Sequence, residues 1–327
     1  MSESAEPIVV AGRSKKSQEH GWLNIMKRIS KFVKECPGDE TATLLAHLRE
    51  LNISRPNPNT FYKTRPLVKD FAENIFAKFK IDPEESFFYP CLSKGSYAVN
   101  TISPITYLMS CVRPETEAIV ELGSGWSSNL FQIYVGLGRT RSRTIEYIGA
   151  EYTNSGRDCG RKIAEFDGAI NYLDFHMDFR APDISFLKKY TKHILVYTHH
   201  SVEQVDKIDH HLYQMLHDLE AAVTIVHFEP VGWQRNADLK KARLENNELV
   251  FAKIAKSYST AINTEIEQMR NAAWWSWRLK YNYNLISITK RYTTSGQAKM
   301  VRTAYDFGGI GNVLNPTTLL HLDFVKN

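Results

Sequence analysis

Short runs of β-branched and apolar residues alternate along most of this chain with stretches whose apolar residues recur every three or four positions. The runs at 118–122, 144–150, 169–175, 193–198 and 221–228 predict buried strands. After the first run, Leu130, Ile133, Tyr134 and Leu137 stand at i, i+3, i+4 and i+7, which predicts a helix. Ser127 or Ser128 can cap its start, and Gly138 suits its C′ position. A second helix is expected over 156–168. Ser201 followed by Gln204 is a capping-box pattern, after which Val205, Ile208, Leu212, Met215 and Leu219 form one helical face. A long helical segment covers 236–279, and runs at 285–292, 299–305 and 319–325 predict later strands.

Strand and helix in alternation predict an α/β fold: a doubly wound, mainly parallel sheet of the seven-stranded type, with helices on both faces. The segment after the fifth strand is too long for a simple connection, so an insertion is expected at about 236–283. The chain ahead of the first strand reads differently. Residues 1–20 are polar and mixed in charge, the composition of a disordered tail. Trp22, Ile25, Met26, Ile29 and Val33 have the spacing of an amphipathic helix packed on the body, and 41–51 predict another helix. Pro56 and Pro58 make 54–59 a turn or linker. Leu67, Phe71, Ile75 and Phe79 share a helical face, 82–100 are rich in aromatics and turn residues, and a helix is expected over 103–112. Residues 21–112 therefore read as a helical lid or cap, and 113–327 as the main domain. Gly308, Gly309 and Gly311 follow a strand, but no helical pattern comes after them, so 306–316 read as a flexible turn.

The chemistry starts at the end of the first strand, in Glu121-Leu122-Gly123-Ser124-Gly125. Glycines let a backbone approach a ligand closely, and the helix that follows points free N–H groups at it. A dinucleotide fingerprint would place a third glycine where Ser128 stands. The motif resembles the first motif of class I S-adenosylmethionine-dependent methyltransferases, with Trp126 where the fuller pattern has a third glycine. The resemblance covers about 117–327 and implies a Rossmann-like methyltransferase domain. It implies S-adenosylmethionine as cofactor, its methionine end held by Glu121, Gly123, Ser124 and Gly125. Glu151, ending the second strand, would bond the ribose hydroxyls. Asp178, just past the third strand, would lie near the adenine, with Asp174 as the spare.

Two further blocks leave the sheet at its carboxyl edge, where ligands bind in open α/β sheets. His199-His200-Ser201-Val202-Glu203-Gln204 follows the fourth strand, and Glu229-Pro230-Val231-Gly232-Trp233-Gln234 follows the fifth. An alcohol must lose its proton as it is methylated, and neutral histidine is a suitable general base. His200, then His199, is the expected catalytic residue, with Glu229 as a further candidate. Glu203, Trp233, Gln234 and Trp275, the last in the aromatic stretch Trp274-Trp275-Ser276-Trp277, are the expected substrate contacts. Both blocks are similar to those of sugar and small-molecule O-methyltransferases. That resemblance implies methyl transfer to a hydroxyl of a sugar or secondary metabolite. A peptide or protein N-methyltransferase, or a non-catalytic scaffold of this fold, are the alternatives. His199, His200, Glu203, Asp206, His210 and His211 raise the question of a metal. They lack the His-Glu-x-x-His spacing, and His210 and His211 fall two to three turns down the predicted helix, so no metal is expected.

Composition narrows the partners. A net charge of +5 with the basic residues dispersed argues against a nucleic-acid partner. No run of 18 apolar residues is present and no signal-peptide core opens the chain, so a cytoplasmic protein without a membrane partner is expected. Cys36, Cys91, Cys111 and Cys159 are widely spaced, which reads as free thiols. The acceptor is a small molecule or peptide, and a homodimer remains open.

Overall fold

The computed structural model describes residues 15–54, 99–257, 265–305, 307 and 317–326. The predicted linker at 54–59 (beyond Ser54), the face Leu67–Phe79, the stretch 82–98 and nearly all of the 306–316 turn lie outside them. So do residues 1–14 of the predicted tail. Residues 15–20 are already helical, inside α1 (Lys15–Glu35), because the amphipathic helix begins about two turns earlier than Trp22. Ile25, Ile29 and Phe32 of α1 are buried with Leu44, Leu45 and Leu48 of α2 (Thr41–Ser54). α3 (Val99–Cys111) then leads into the sheet.

β1 (Thr116–Leu122), α4 (Ser128–Ser142), β2 (Glu146–Glu151), α5 (Asn154–Asp167), β3 (Tyr172–His176), β4 (His193–His199), α6 (His211–His217) and β5 (Ala222–Glu229) follow in order. The inserted helices come next: α7 (Ala237–Leu244), α8 (Glu248–Lys256) and α9 (Glu265–Leu279). After α10 (Leu285–Thr294), β6 (Ala298–Tyr305) and β7 (Thr318–Phe324) close the sheet. Strand order is β3-β2-β1-β4-β5-β7-β6. β1 to β5 pair in parallel, whereas β7 runs antiparallel to β5 and to β6. One sheet face carries Val120, Val196, Ile225 and Leu320 against α6 and α10; the other carries Ile119, Tyr197 and Phe228 against α3 and α4. Burial on both faces accounts for apolar runs without alternation.

Three local expectations are corrected. Residues 285–292 form helix α10, not a strand: Leu285, Ile288, Thr289 and Tyr292 are the buried positions, which have the period of 3.6 of a helix. The helix expected from Val205 starts only at His211. Residues 203–209 instead pair with 282–284: Asn282 N–H donates to Glu203 O, Tyr283 N–H to Asp206 O, and Asn284 Nδ2 to Ile208 O. Tertiary partners thus take the carbonyls that helical turns would have used. Ser127 is the N-cap residue of α4, but its hydroxyl makes no capping bond. Gly138, with φ 76°, breaks α4 as its C′ reading implies, and helical residues resume beyond it to Ser142. Cys36, Cys111 and Cys159 are free thiols among the described residues.

Candidate functional site

The carboxyl edge of the sheet gathers most of the expected residues. At the end of β1 the backbone takes left-handed values at alternate positions, φ 73° at Gly123, 54° at Gly125 and 61° at Ser127. Glycine accepts this without a Cβ clash; Ser127 does not, and its hydroxyl is fixed by Tyr172 Oη at 2.9 Å. The N–H groups of Gly123 and Ser124 donate to Ala150 O at 2.7 and 3.2 Å, which ties the turn to β2.

Glu121 is buried at the centre of this turn. Asn129 Nδ2 donates to its Oε1 at 2.6 Å, while Oε2 has no partner of good geometry, although the Tyr197 hydroxyl and the Leu130 N–H lie near the carboxyl. Burial pushes its carboxyl up to about 8, against the pull of the Asn129 bond. Glu151, also buried, ends β2 as expected, but both of its oxygens are engaged within the protein. Oε2 accepts from Gly125 N–H at 2.8 Å, and Oε1 from Thr153 N–H at 2.9 Å and Thr153 Oγ1 at 2.7 Å. Asp178 lies past β3 and binds Arg180 through its backbone N–H and its guanidinium, which holds the carboxyl below its usual range despite partial burial. Arg180 in turn lies over the ring of Tyr152, next to Glu151. Asp174 lies within β3 and pairs with Arg157 and Arg161 of α5.

The second half of the site hangs on Glu229. This carboxylate is fully buried and accepts from the backbone N–H groups of Ser201 and Val202 at Oε1, both 3.1 Å, and of Glu203 at Oε2, 3.2 Å. Burial first, and then the charge of Glu203, raise it to about 7. Its oxygens are thus committed to the amides of the 201–203 turn, and its side chain has no exposed surface. We expect Glu229→Ala to cost on the order of 3 kcal/mol, since buried donors lose their acceptor. Urea unfolding measures this, and a loss under about 1 kcal/mol would contradict the clamp.

The clamped turn carries His200 in a left-handed conformation, φ 51°, an unusual geometry for a residue with a Cβ. Its Nε2 meets Thr317 Oγ1 at 2.9 Å and its Nδ1 lies 3.6 Å from Glu203 Oε1. Burial opposes the charged imidazole, but the Glu203 and Glu229 carboxylates outweigh it, and His200 titrates above its ordinary value. His199 lies at the end of β4 with its ring edge-on to that of His200, 5.0 Å away. Ser201 does not cap a helix: its hydroxyl donates to Leu122 O at 2.8 Å, joining the two halves of the site. It lies directly over Gly123, where an added Cβ would come within 2.5 Å of Ser201 Cβ.

Trp233 and Gln234 lie in the turn between β5 and the inserted helices, and Trp275 lies within the insertion. Trp233 is 1% exposed and packs with Phe251, Ala272 and Ala273. Gln234 is buried and engaged within the protein, donating to Asn282 O at 2.9 Å and accepting from Ile286 N–H at 3.1 Å. Trp275 lies on α9, edge-on to Trp274, while Trp277 stacks on Phe251. His210 and His211 are at the very start of α6, not turns along a helix, and with Asp209 bring three ligand-type atoms within 4.8 Å of one another. The Asp209 carboxylate already accepts from the His211 backbone and contacts its imidazole.

Sequence reasoning missed the part α1 plays. Glu19 accepts from the N–H groups of Asn154 and Ser155 at the start of α5, at 3.1 and 3.0 Å. Trp22 lies against the glycine turn, with its ring 2.9 Å from where a Cβ on Gly125 would sit. Among the described residues, Glu19 and Trp22 of α1 reach the start of α5 and the glycine turn. The only signal was an acid and a tryptophan three residues apart on one helical face.

No protein-family model matches the sequence, and no curated protein matches it. Among solved structures, the chain is similar to magnesium protoporphyrin IX methyltransferase from Synechocystis with bound SAH: 10% identity, 80% of this chain and 99% of that one, TM-score 0.42. It is also similar to the CurJ carbon methyltransferase (12%, 87% and 79%, 0.42). A third is geranyl diphosphate C-methyltransferase from Streptomyces coelicolor (11%, 75% and 83%, 0.41). The fold itself rests on this chain's own strand order: a seven-stranded, mostly parallel sheet with flanking helices and an antiparallel β7, which is the Rossmann-like methyltransferase fold. Among the described residues no helix is long and apolar enough to cross a membrane.

Proposed function

We propose that the chain is an S-adenosylmethionine-dependent methyltransferase acting on a hydroxyl of a small-molecule acceptor. The observation that carries this reading is Glu121: a buried carboxyl whose second oxygen lacks a well-formed hydrogen bond, at a strand end beside two left-handed glycines. A buried polar atom left without a partner costs free energy, and a cationic ligand group supplies the partner. The ammonium of the cofactor's methionine end fits that need. Glu151 would turn from Gly125 N–H to the ribose hydroxyls, and Asp178 with Tyr152 would border the adenine. When bound, the sulfonium supplies an electrophilic methyl group and departs as a neutral thioether.

What the chain's own residues do is align and deprotonate. Glu229 fixes the 201–203 turn, Glu203 faces Nδ1 of His200, and Nε2 is left to accept. In this reading an acceptor hydroxyl takes the place of Thr317 Oγ1 at Nε2 and gives its proton there. Trp22 and α1 keep water from the glycine turn.

Cofactor affinity should depend on pH through Glu121. Its carboxyl titrates near 8 in the free protein, and only the carboxylate pairs with an ammonium. Affinity for S-adenosylhomocysteine should therefore rise with pH from 6 to 8, by up to about tenfold per pH unit, and level off above. Glu121→Gln should bind more weakly and without this slope. Calorimetric titration across that range checks it; a parent protein whose affinity is flat with pH would contradict the role of Glu121.

A further inference from the structure

Next to the clamped turn, on the sheet face covered by α6 and α10, four polar side chains interrupt an otherwise apolar layer. Thr198 of β4, His227 of β5 and Tyr213 of α6 are completely buried, and Thr289 of α10 nearly so. Thr198 and His227 stand opposite one another in register, and Glu229 follows His227 by two residues, on the same face. His227 Nδ1 lies 2.9 Å from Thr198 Oγ1, and its Nε2 lies 2.8 Å from Tyr213 Oη. Tyr213 Oη is also 3.1 Å from Thr289 Oγ1, and the Thr198 hydroxyl bonds onward to Glu229. The four form one unbroken chain that ends on the carboxyl holding the 201–203 turn. Burial alone pushes His227 down to about 3, so its ring is neutral, with one N–H and one lone pair.

We propose that Thr198 and His227 are positioning residues: their hydrogen bonds run in one direction, toward Glu229, and hold it as the carboxylate beside His200. The direction follows from counting protons. Two orderings satisfy a chain built on a neutral imidazole. In the first, Thr289 donates to Tyr213, Tyr213 to Nε2 of His227, Nδ1–H to Thr198, and the Thr198 hydroxyl to Glu229. In the second every proton runs the other way, so the Thr198 hydroxyl is spent on Nδ1 and Glu229 receives nothing from it. An ionised carboxylate only accepts, and it makes the stronger, charge-assisted bond, so it selects the first ordering. A fully paired chain in a dry layer also strengthens each of its bonds. Glu203 and His200 face Glu229 from the turn after β4, and Tyr213, packed on Tyr292, faces the His227 ring. The Glu229 charge is one of the two that favour the protonated His200, so Thr198 and His227 act on that imidazole without touching it. A consequence for turnover rests on the methyltransferase reading; the ordering of the chain does not.

Long-range proton–nitrogen NMR of the histidine rings in the full chain tests this, because it tells the two neutral tautomers and the imidazolium apart. At pH 8 the His227 ring should carry its proton on Nδ1, the reverse of the tautomer that an isolated histidine side chain prefers. Thr198→Val keeps the volume and removes the hydroxyl. It should return the His227 proton to Nε2, where Tyr213 can accept it. It should also leave Glu229 easier to protonate, so that the pKa of His200, followed by the same NMR, falls by about half a pH unit or more. Thr198→Ser restores the hydroxyl and should restore both signals, which a purely structural role for Thr198 would not require. Thermal melts establish which variants are folded. A parent His227 protonated on Nε2 or on both nitrogens at pH 8 would overturn the proposal, and needs no variant to be seen. So would a folded Thr198→Val in which His200 titrates as in the parent. Neither readout involves cofactor or turnover, so failure to bind S-adenosylhomocysteine would overturn the methyltransferase reading and leave the chain standing. The wrong tautomer would do the converse.

Discussion

Replacing His200 should lower turnover by roughly a hundredfold or more while cofactor affinity stays within about twofold. The expectation follows from what surrounds the imidazole. One nitrogen faces Glu203 and the other a hydroxyl, and the backbone beneath is pinned through Glu229. This is the arrangement of an oriented base and not of a surface histidine. His200→Asn is a better variant than alanine, because asparagine tolerates the left-handed backbone that the position requires. The pH dependence gives a second readout. The base works when neutral, and its carboxylate neighbours raise its pKa above 6.5, so the acid limb of the turnover profile should fall above that value. Steady-state kinetics with single-turnover controls would show this. A folded His200→Asn with ordinary turnover would leave catalysis to alignment alone.

Gly123→Val should abolish cofactor binding and also destabilise the fold. From sequence, the change reads as blocking a ligand while sparing the structure. The geometry makes it harsher. At φ 73° a side chain is strained by about 1–2 kcal/mol. Its Cβ would also fall 2.5 Å from Ser201 Cβ and 3.2 Å from Phe179. Relief means moving Ser201 off Leu122 O, the contact that joins the β1 and β4 ends. We therefore expect a melting temperature several degrees lower and at least a tenfold loss of S-adenosylhomocysteine affinity, measured below the melt. A folded variant with parental affinity would exclude the glycine turn from the cofactor site.

The sheet was legible in the sequence because its central strands are buried on both faces and so are written as continuous apolar runs. Glu121, Glu151 and the histidine pair were legible for a related reason: each interrupts or ends such a run, and the carboxyl edge is where open sheets expose side chains. What failed was decided elsewhere in the chain. Residues 205–210 have a helical pattern, but their backbone groups are claimed through Tyr283 and Asn284, a pairing some 75 residues distant. Residues 285–292 are rich in β-branched side chains and looked like a strand, but only their 3.6 period describes what is buried. Glu229 looked like a candidate base because it ends a strand. Its partners are backbone amides, which no residue type announces. Trp22 could be placed on a helix but not over Gly125, since the packing of α1 on α5 is set by shape and not by pattern.

Isothermal titration of the full chain with S-adenosylhomocysteine at pH 8 addresses the central claim most directly, because it asks only whether the Glu121 turn holds this cofactor. One saturable site should be seen, weakened at least tenfold in Glu121→Gln, with NAD producing no heat at the same concentrations. Absence of saturable binding to the parent protein, or binding that Glu121→Gln leaves unchanged, would contradict it.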